Sequence, residues 1–290
     1  MRGHNLSRSQ VRPKGRGGWL FPTEVIAEAI IVGVGLFEAV LFLLGAQSGT
    51  ISVLTLTIAA LYFALPYNII MAGLGVSGWV MRVPTVRKNI VIALVNIPFL
   101  AYLFWQGDAA ANYCLLALVA IGALFNAPKV HLRTIPGFDV LGMSLFLAGP
   151  FVYGILLANV QGVWWLAAWL SGLLVVAANY LMYKLPTIGL EQKLHIDSTD
   201  ARLGIEYTIA TCVGLYIVAA ILPVVVYGWW GLPALVLLLW YALIALQAIP
   251  FRLIAGAAGL YRVWQTIWWL NYPIGAILCM YAWYLVNTKA

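Results

Sequence analysis

Apolar runs of about 20 residues recur from Val25 to the C-terminal end of this chain. A bilayer has a hydrocarbon core that one helix of about that length crosses, so each run reads as a spanning segment. Nine are distinguished: roughly 24–46, 51–73, 89–106, 110–126, 139–158, 163–183, 206–228, 231–250 and 264–286. Turn-forming clusters separate them, among them Gln47-Ser48-Gly49, Gln106-Gly107-Asp108, Asn126 to Pro136, Asn159 to Gly162, Gly228 to Gly231 and Gly256 to Gly259. With 64% hydrophobic and 9% charged residues and a mean hydropathy of +0.96, the composition lies outside the soluble range. The fold class expected is an all-α, polytopic membrane helical bundle, with a basic tail at 1–23 and one transmembrane domain at 24–290.

The net charge of +7 does not point to nucleic acid, because the charges are placed as loop charges. Of the sixteen Lys and Arg, five lie in the tail: Arg2, Arg8, Arg12, Lys14 and Arg16. Ten more fall in every second loop: Arg82, Arg87 and Lys88; Lys129 and Arg133; Lys184, Lys193 and Arg202; Arg252 and Arg262. Only Lys289 falls on the other side. The positive-inside rule then places the N-terminus and the basic loops in the cytoplasm. Tryptophans near segment ends, including Trp105, Trp164, Trp229 and Trp283, suit an interfacial aromatic belt. No cleavage signal precedes the first apolar run, so the tail is expected to be retained. Cys114, Cys212 and Cys279 are isolated within apolar segments and suggest neither a disulfide framework nor a zinc site.

The stretch from Leu65 to Lys88 leaves an apolar segment through Pro66-Tyr67-Asn68, loosens at Gly73, Gly75 and Gly78, and emerges as the basic Arg82, Arg87 and Lys88. It resembles the UbiA superfamily of intramembrane prenyltransferases, most of all the lycopene elongases of the carotenoid branch. There a Pro-Tyr-Asn segment leads into N-D-x-x-D-x-x-x-D and a basic stretch. Further fragments carry the resemblance over about residues 50–290: Arg87 to Gly107, Leu124 to Pro128, Ile135-Pro136-Gly137-Phe138-Asp139, Ala148 to Gly154 and Trp269-Leu270-Asn271-Tyr272.

In that family the acids hold Mg²⁺ against an isoprenoid diphosphate. Mg²⁺ takes oxygen ligands and offsets the charge that builds on the leaving group. Here Gly75 and Val76 stand for Asn-Asp, and Trp79 and Val83 for the later acids. None supplies a side-chain oxygen, so the resemblance implies the family's scaffold with its first motif erased. A second family motif, D-x-x-x-D between the sixth and seventh segments, finds Asp200 at its second acid and Ile196 at its first, with Asp197 one residue off. One residue turns a helical side chain by about 100°. Asp197 and Asp200 thus read either as a residual diphosphate site or as a solvated, acidic N-terminal end of the seventh helix completed by Glu206, favoured by the helix dipole. His131 and His195 have no metal-ligand partner at helical spacing.

Glu38 lies midway along the first run, where a charge costs about 2.5–3.5 kcal/mol, so it should be protonated, paired or turned inward. Asn68, Asn96, Asn179 and Asn271 are polar residues at or within the apolar layer, suited to interhelical hydrogen bonds. Of these, Asn68 directly precedes the erased motif.

Two functions follow as expectations. One is a catalytically degenerate prenyltransferase-like protein that binds an isoprenoid or carotenoid-type lipid or serves another membrane subunit, with no catalytic residue, no metal and no cofactor. The other is an active prenyltransferase, with Mg²⁺, that uses Asp197, Asp200 and the cations Arg82, Arg87 and Lys88, with Asn68, as a non-standard diphosphate site. A transporter finds little support, since Glu38 apart the segments carry no ionisable path. In a background without the native cysteines, cysteine labels at 108 and in the 158–163 loop should react from outside the cytoplasm, and labels at 88 and 202 from within it. The reverse pattern overturns the topology.

Overall fold

A computed structural model of the chain describes residues 38–46, 51–64, 85–126, 135–162, 164–193 and 197–289. All regular elements among them are helical: α1 (38–46), α2 (Val53–Ala64), α3 (Thr85–Gln106), α4 (Ala109–Asn126), α5 (Phe138–Leu157), α6 (Trp164–Lys184), the short α7 (Ile188–Lys193), α8 (Thr199–Tyr227), α9 (Leu232–Leu246) and α10 (Ala248–Lys289). A helix satisfies its backbone polar groups within itself, which an apolar solvent requires. Successive helices pack side by side, and α8 lies against both α6 and α9.

Three helical stretches among the described residues are long and apolar enough to cross a membrane: Phe138–Leu157, Trp165–Thr187 and Thr199–Leu246. The last is not one rod. Gly228, at φ 56°, and the 3₁₀ turn Gly228–Gly231 fold it back so that α8 and α9 lie together. A Cβ on Gly231 would fall 2.3 Å from the Pro223 carbonyl oxygen, so only glycine permits this return.

Side chains divide into two cores. One joins α1 to α5 around Phe42, Tyr62, Phe63, Leu103, Leu115 and Tyr153. The other joins α6 to α10 around Leu181, Met182, Cys212, Tyr216, Tyr241 and Trp264. Large apolar side chains also cover the outside, with Leu253 82% and Ile254 83% exposed, as suits a protein dissolved in lipid. Trp105 and Trp229, both at helix ends, are likewise exposed.

The expected segments differ from the helices in one place and agree with them at a second. The 206–228 segment is entered by α8 already at Thr199, with a bend at Gly204, whose φ of 73° is open to glycine. The turn expected at Gly256 to Gly259 is present: Gly256, at φ 54° and ψ −135°, is non-helical and kinks α10 so sharply that a Cβ on Gly259 would stand 2.2 Å from Phe251 O. Arg252 and Arg262 lie on helix on either side of it, not on an open loop.

Close approach of α1 and α5 depends on absent side chains. A Cβ on Gly45 would stand 2.1 Å from Phe151 O, and one on Gly154 2.3 Å from Phe42 O. Small residues let helices in lipid meet at backbone distance. Gly154→Val should therefore cost about 3 kcal/mol, measured as thermal unfolding in detergent, because both crossing backbones must move. Gly214→Ala, where an added Cβ meets nothing within 4 Å, should change stability by less than about 0.5 kcal/mol.

Candidate functional site

Polar side chains gather where α5, α6, α7 and α8 end or begin. Ser198 caps α8: its Oγ accepts from Ala201 N at 3.4 Å and donates to Glu191 Oε2 at 2.6 Å. Glu191 Oε1 also receives Lys184 Nζ at 2.5 Å and Thr187 Oγ1 at 3.4 Å. Lys184 further stands 3.6 Å from Asp200 Oδ1. Asp200 is wholly buried, and among the described residues its carboxylate oxygens have no hydrogen-bond partner. Beside it Asp139, also wholly buried, accepts from Thr199 N at 3.1 Å and from Thr199 Oγ1. Thr199 Oγ1 in turn accepts from Gly137 N at 2.6 Å. The start of α5 is thereby clasped to the start of α8. Tyr180 on α6 is within electrostatic reach of Asp139, Glu191 and Asp200.

The two acids proposed from sequence face apart. Asp197 is exposed and paired with Arg202, whose Nε and Nη2 each donate at 2.5 Å. That hydrogen bonding holds the Asp197 carboxyl below the usual aspartate range. Burial instead pushes the Asp200 carboxyl up, which Lys184 offsets in part. The expectation of a solvated acidic helix start is thus corrected for Asp200: it is buried, and Glu206, beyond the Gly204 bend, is exposed and pairs with Arg252 at 3.3 Å. Mg²⁺ does not fit these residues. Asp197 is held by Arg202, Asp139 by Thr199 and Asp200 by Lys184, and among the described residues no three His, Cys, Asp or Glu side chains are grouped to hold a metal ion.

Glu38 sits in α1, only 1% exposed, and among the described residues neither carboxylate oxygen has a hydrogen-bond partner. It lies within electrostatic reach of Tyr62 and in the core of Phe42, Phe63 and Tyr153, whose rings meet at 5.5 to 6.0 Å. Arg87 and Lys88 fall in the first turn of α3. Asn68, Gly75, Val76, Trp79, Arg82 and Val83 lie outside the described residues, as does the expected approach of 74–88 to 184–205.

Between the two cores runs an apolar cavity of about 210 Å³. Leu41 and Leu44 of α1, Phe151 of α5, Trp169 and Val175 of α6, Tyr227 of α8, Leu238 and Tyr241 of α9 and Asn271 and Tyr281 of α10 line it. A largely apolar chamber with a few placed polar groups is what a small lipid chain needs. Sequence reasoning missed the Asp139–Thr199 clasp and the Lys184–Glu191 pair, which join residues 60 and 7 apart. The one local sign was Gly137, φ 83°, just before Asp139.

No family model matches the chain. In sequence it is 25% identical over 244 residues to a lycopene elongase/hydratase of Corynebacterium glutamicum, which covers 75% of this chain and 81% of that one. In structure it is similar to a UbiA homolog from Archaeoglobus fulgidus bound to GPP and Mg²⁺, with a TM-score of 0.58, 15% identity and 87% and 98% of the two chains covered. The same homolog bound to DMAPP and Mg²⁺ gives a TM-score of 0.61 at 15% identity, over 87% and 97% of the two chains. A digeranylgeranylglyceryl phosphate synthase structure gives 0.61 at 13% identity, over 89% and 95%.

A carboxyl whose pKa rises on folding binds its proton more tightly in the folded chain, so its ionisation weakens the fold as pH rises from the ordinary aspartate range through the raised value. Asp200→Asn should remove that loss from the pH profile of thermal unfolding in detergent while leaving Lys184 paired with Glu191. Lys184→Met, which strands two carboxylates together, should cost roughly 3 kcal/mol.

Proposed function

We propose that the chain is a UbiA-type intramembrane isoprenoid-binding protein, of the carotenoid branch that its sequence resembles, that has given up Mg²⁺-dependent prenyl transfer. The observation that carries this reading is the pairing of a retained apolar cavity with spent or missing acids. Gly75, Val76, Trp79 and Val83 offer Mg²⁺ no oxygen, Asp197 is bound to Arg202, and Asp200 is buried beside Lys184. Without a metal clamp the developing diphosphate charge has only cations to meet it.

Under this reading the chain crosses the membrane nine times with its N-terminus in the cytoplasm. Asn68, Arg82, Arg87 and Lys88 then fall on the cytoplasmic side, where clustered Lys and Arg hold an anionic headgroup at about 1 kcal/mol each. The lipid is isoprenoid or carotenoid-like, and the protein serves as its carrier or as the partner of another membrane subunit.

A working prenyltransferase is the second reading, favoured by Asp200 and Lys184 together in the second polar loop, since basic groups hold diphosphate through charge-assisted hydrogen bonds. Diphosphate release from isoprenoid diphosphates separates the two. The purified protein should release none above background with or without Mg²⁺, and organic extraction should recover a bound polyisoprenoid, pigment or quinone. Mg²⁺-dependent release that Asp200→Ala abolishes would establish the enzyme reading, and a cavity empty of such lipid in several detergents would remove the binding reading.

A further inference from the structure

The cavity is mostly apolar, and at one position on its wall the protein has built a fixed donor. Tyr216 is wholly buried, and its hydroxyl donates to Asn179 Oδ1 at 2.7 Å. Asn179 Nδ2 donates to Asn271 Oδ1 at 3.1 Å. The direction of this relay follows from Tyr216. Were both amides turned round, the tyrosine would accept from Asn179 and its own proton would be buried without an acceptor, a larger loss than an unused lone pair on a hydroxyl. With the relay so directed, the Asn271 oxygen is occupied and its amide nitrogen is left as a donor on the cavity wall.

Three other polar groups of the wall are spent within the protein. Ser171 Oγ donates to Ala219 O at 2.8 Å, Trp169 Nε1 to Ala148 O at 3.2 Å, and the Tyr281 hydroxyl to Trp230 O. Asn271 and Tyr281 are ten residues apart on α10, about 15 Å along the axis. The chamber has the Asn271 amide at one position and Tyr281 at another, within a lining that is mostly apolar. A pure hydrocarbon would bury the Asn271 amide against carbon without a partner, which costs free energy in so apolar a place.

We infer that the cavity selects an isoprenoid bearing an oxygen, hydroxyl or carbonyl, which accepts a hydrogen bond from Asn271 Nδ2, and that Asn179 and Tyr216 are positioning residues that hold that donor in place. The inference rests on the isoprenoid-binding reading and adds the ligand's chemical class and the residue that grips it. It concerns only the cavity and holds whether or not the protein retains transfer chemistry.

The test compares three probes of equal chain length on the full-length protein in detergent: geranylgeraniol, its aldehyde, and the hydrocarbon with hydrogen in place of the hydroxyl. Equilibrium dialysis should show the alcohol bound roughly 3- to 10-fold more tightly than the hydrocarbon, the ratio that one added hydrogen bond gives. Asn271→Leu should bring that ratio to about unity while hydrocarbon binding holds or improves. The infrared carbonyl stretch of the bound aldehyde should lie lower in wild-type protein than in apolar solvent, which reads the hydrogen bond even if a variant does not fold. Equal binding of alcohol and hydrocarbon by wild-type protein, an unshifted carbonyl, or a preference that survives Asn271→Leu overturns the inference and leaves the isoprenoid-binding reading standing. Binding of none of the three overturns both.

Discussion

Lipid offers no hydrogen bonds, and most of this structure is arranged around that fact. Each helix closes its own backbone ladder, and polar side chains in the interior find partners on neighbouring helices. Ser171 reaches the Ala219 carbonyl across α6 and α8, Thr55 meets Tyr102 across α2 and α3 at 3.1 Å, and Trp169 reaches Ala148 across α6 and α5. Each such bond adds modest stability in a membrane but fixes which face of one helix meets which face of another. The same rule makes exceptions informative. Glu38 and Asp200 are both buried with carboxylate oxygens that have no hydrogen-bond partner among the described residues, one deep in the first core and one at the polar end of the second.

These two acids differ in what surrounds them. Asp200 has Lys184 at 3.6 Å and the α8 N-terminus beneath it, so its charge is partly met by a cation and by a helix dipole. Glu38 has aromatic rings and the hydroxyl-bearing Tyr62 and Tyr153 around it and no cation nearby among the described residues. An isolated charge in a low-dielectric core is costly, so the surroundings of the two acids, cationic for one and aromatic for the other, set them apart.

The legible part of the sequence was periodic and the illegible part was relational. Helices α4, α5 and α6 run within a residue or two of the expected 110–126, 139–158 and 163–183, since hydrophobic runs bounded by turn residues report length directly. The acidic start of the seventh helix at Asp200 was legible as such, but the kink at Gly204 that separates it from the 206–228 run was not, because a single glycine does not announce which way a chain turns. The break at Gly256 was legible, since a glycine in an apolar pattern signals a turn and here its non-helical backbone makes one. For the site, Asp200 and Asn271 were visible as residue types out of place. Their meaning was not, because Lys184, Thr199 and Asp139, or Asn179 and Tyr216, reach them from 16 to 92 positions away or through a helix start whose partners no local pattern reveals.

The erased motif and the retained cavity bear on one another through a difference in what each requires. Metal-assisted transfer needs several oxygens held in common geometry, and under the proposed reading Gly75, Val76, Trp79 and Val83 stand where such oxygens would be. Holding a lipid needs only volume, apolar walls and one or two oriented polar groups, which come from six helices and survive the loss of any one loop motif. Binding is therefore the more durable half of such a scaffold. Under the proposed reading, Asn179, Tyr216 and Asn271 in register keep the part of the site that recognises a molecule, whatever becomes of the part that would change it.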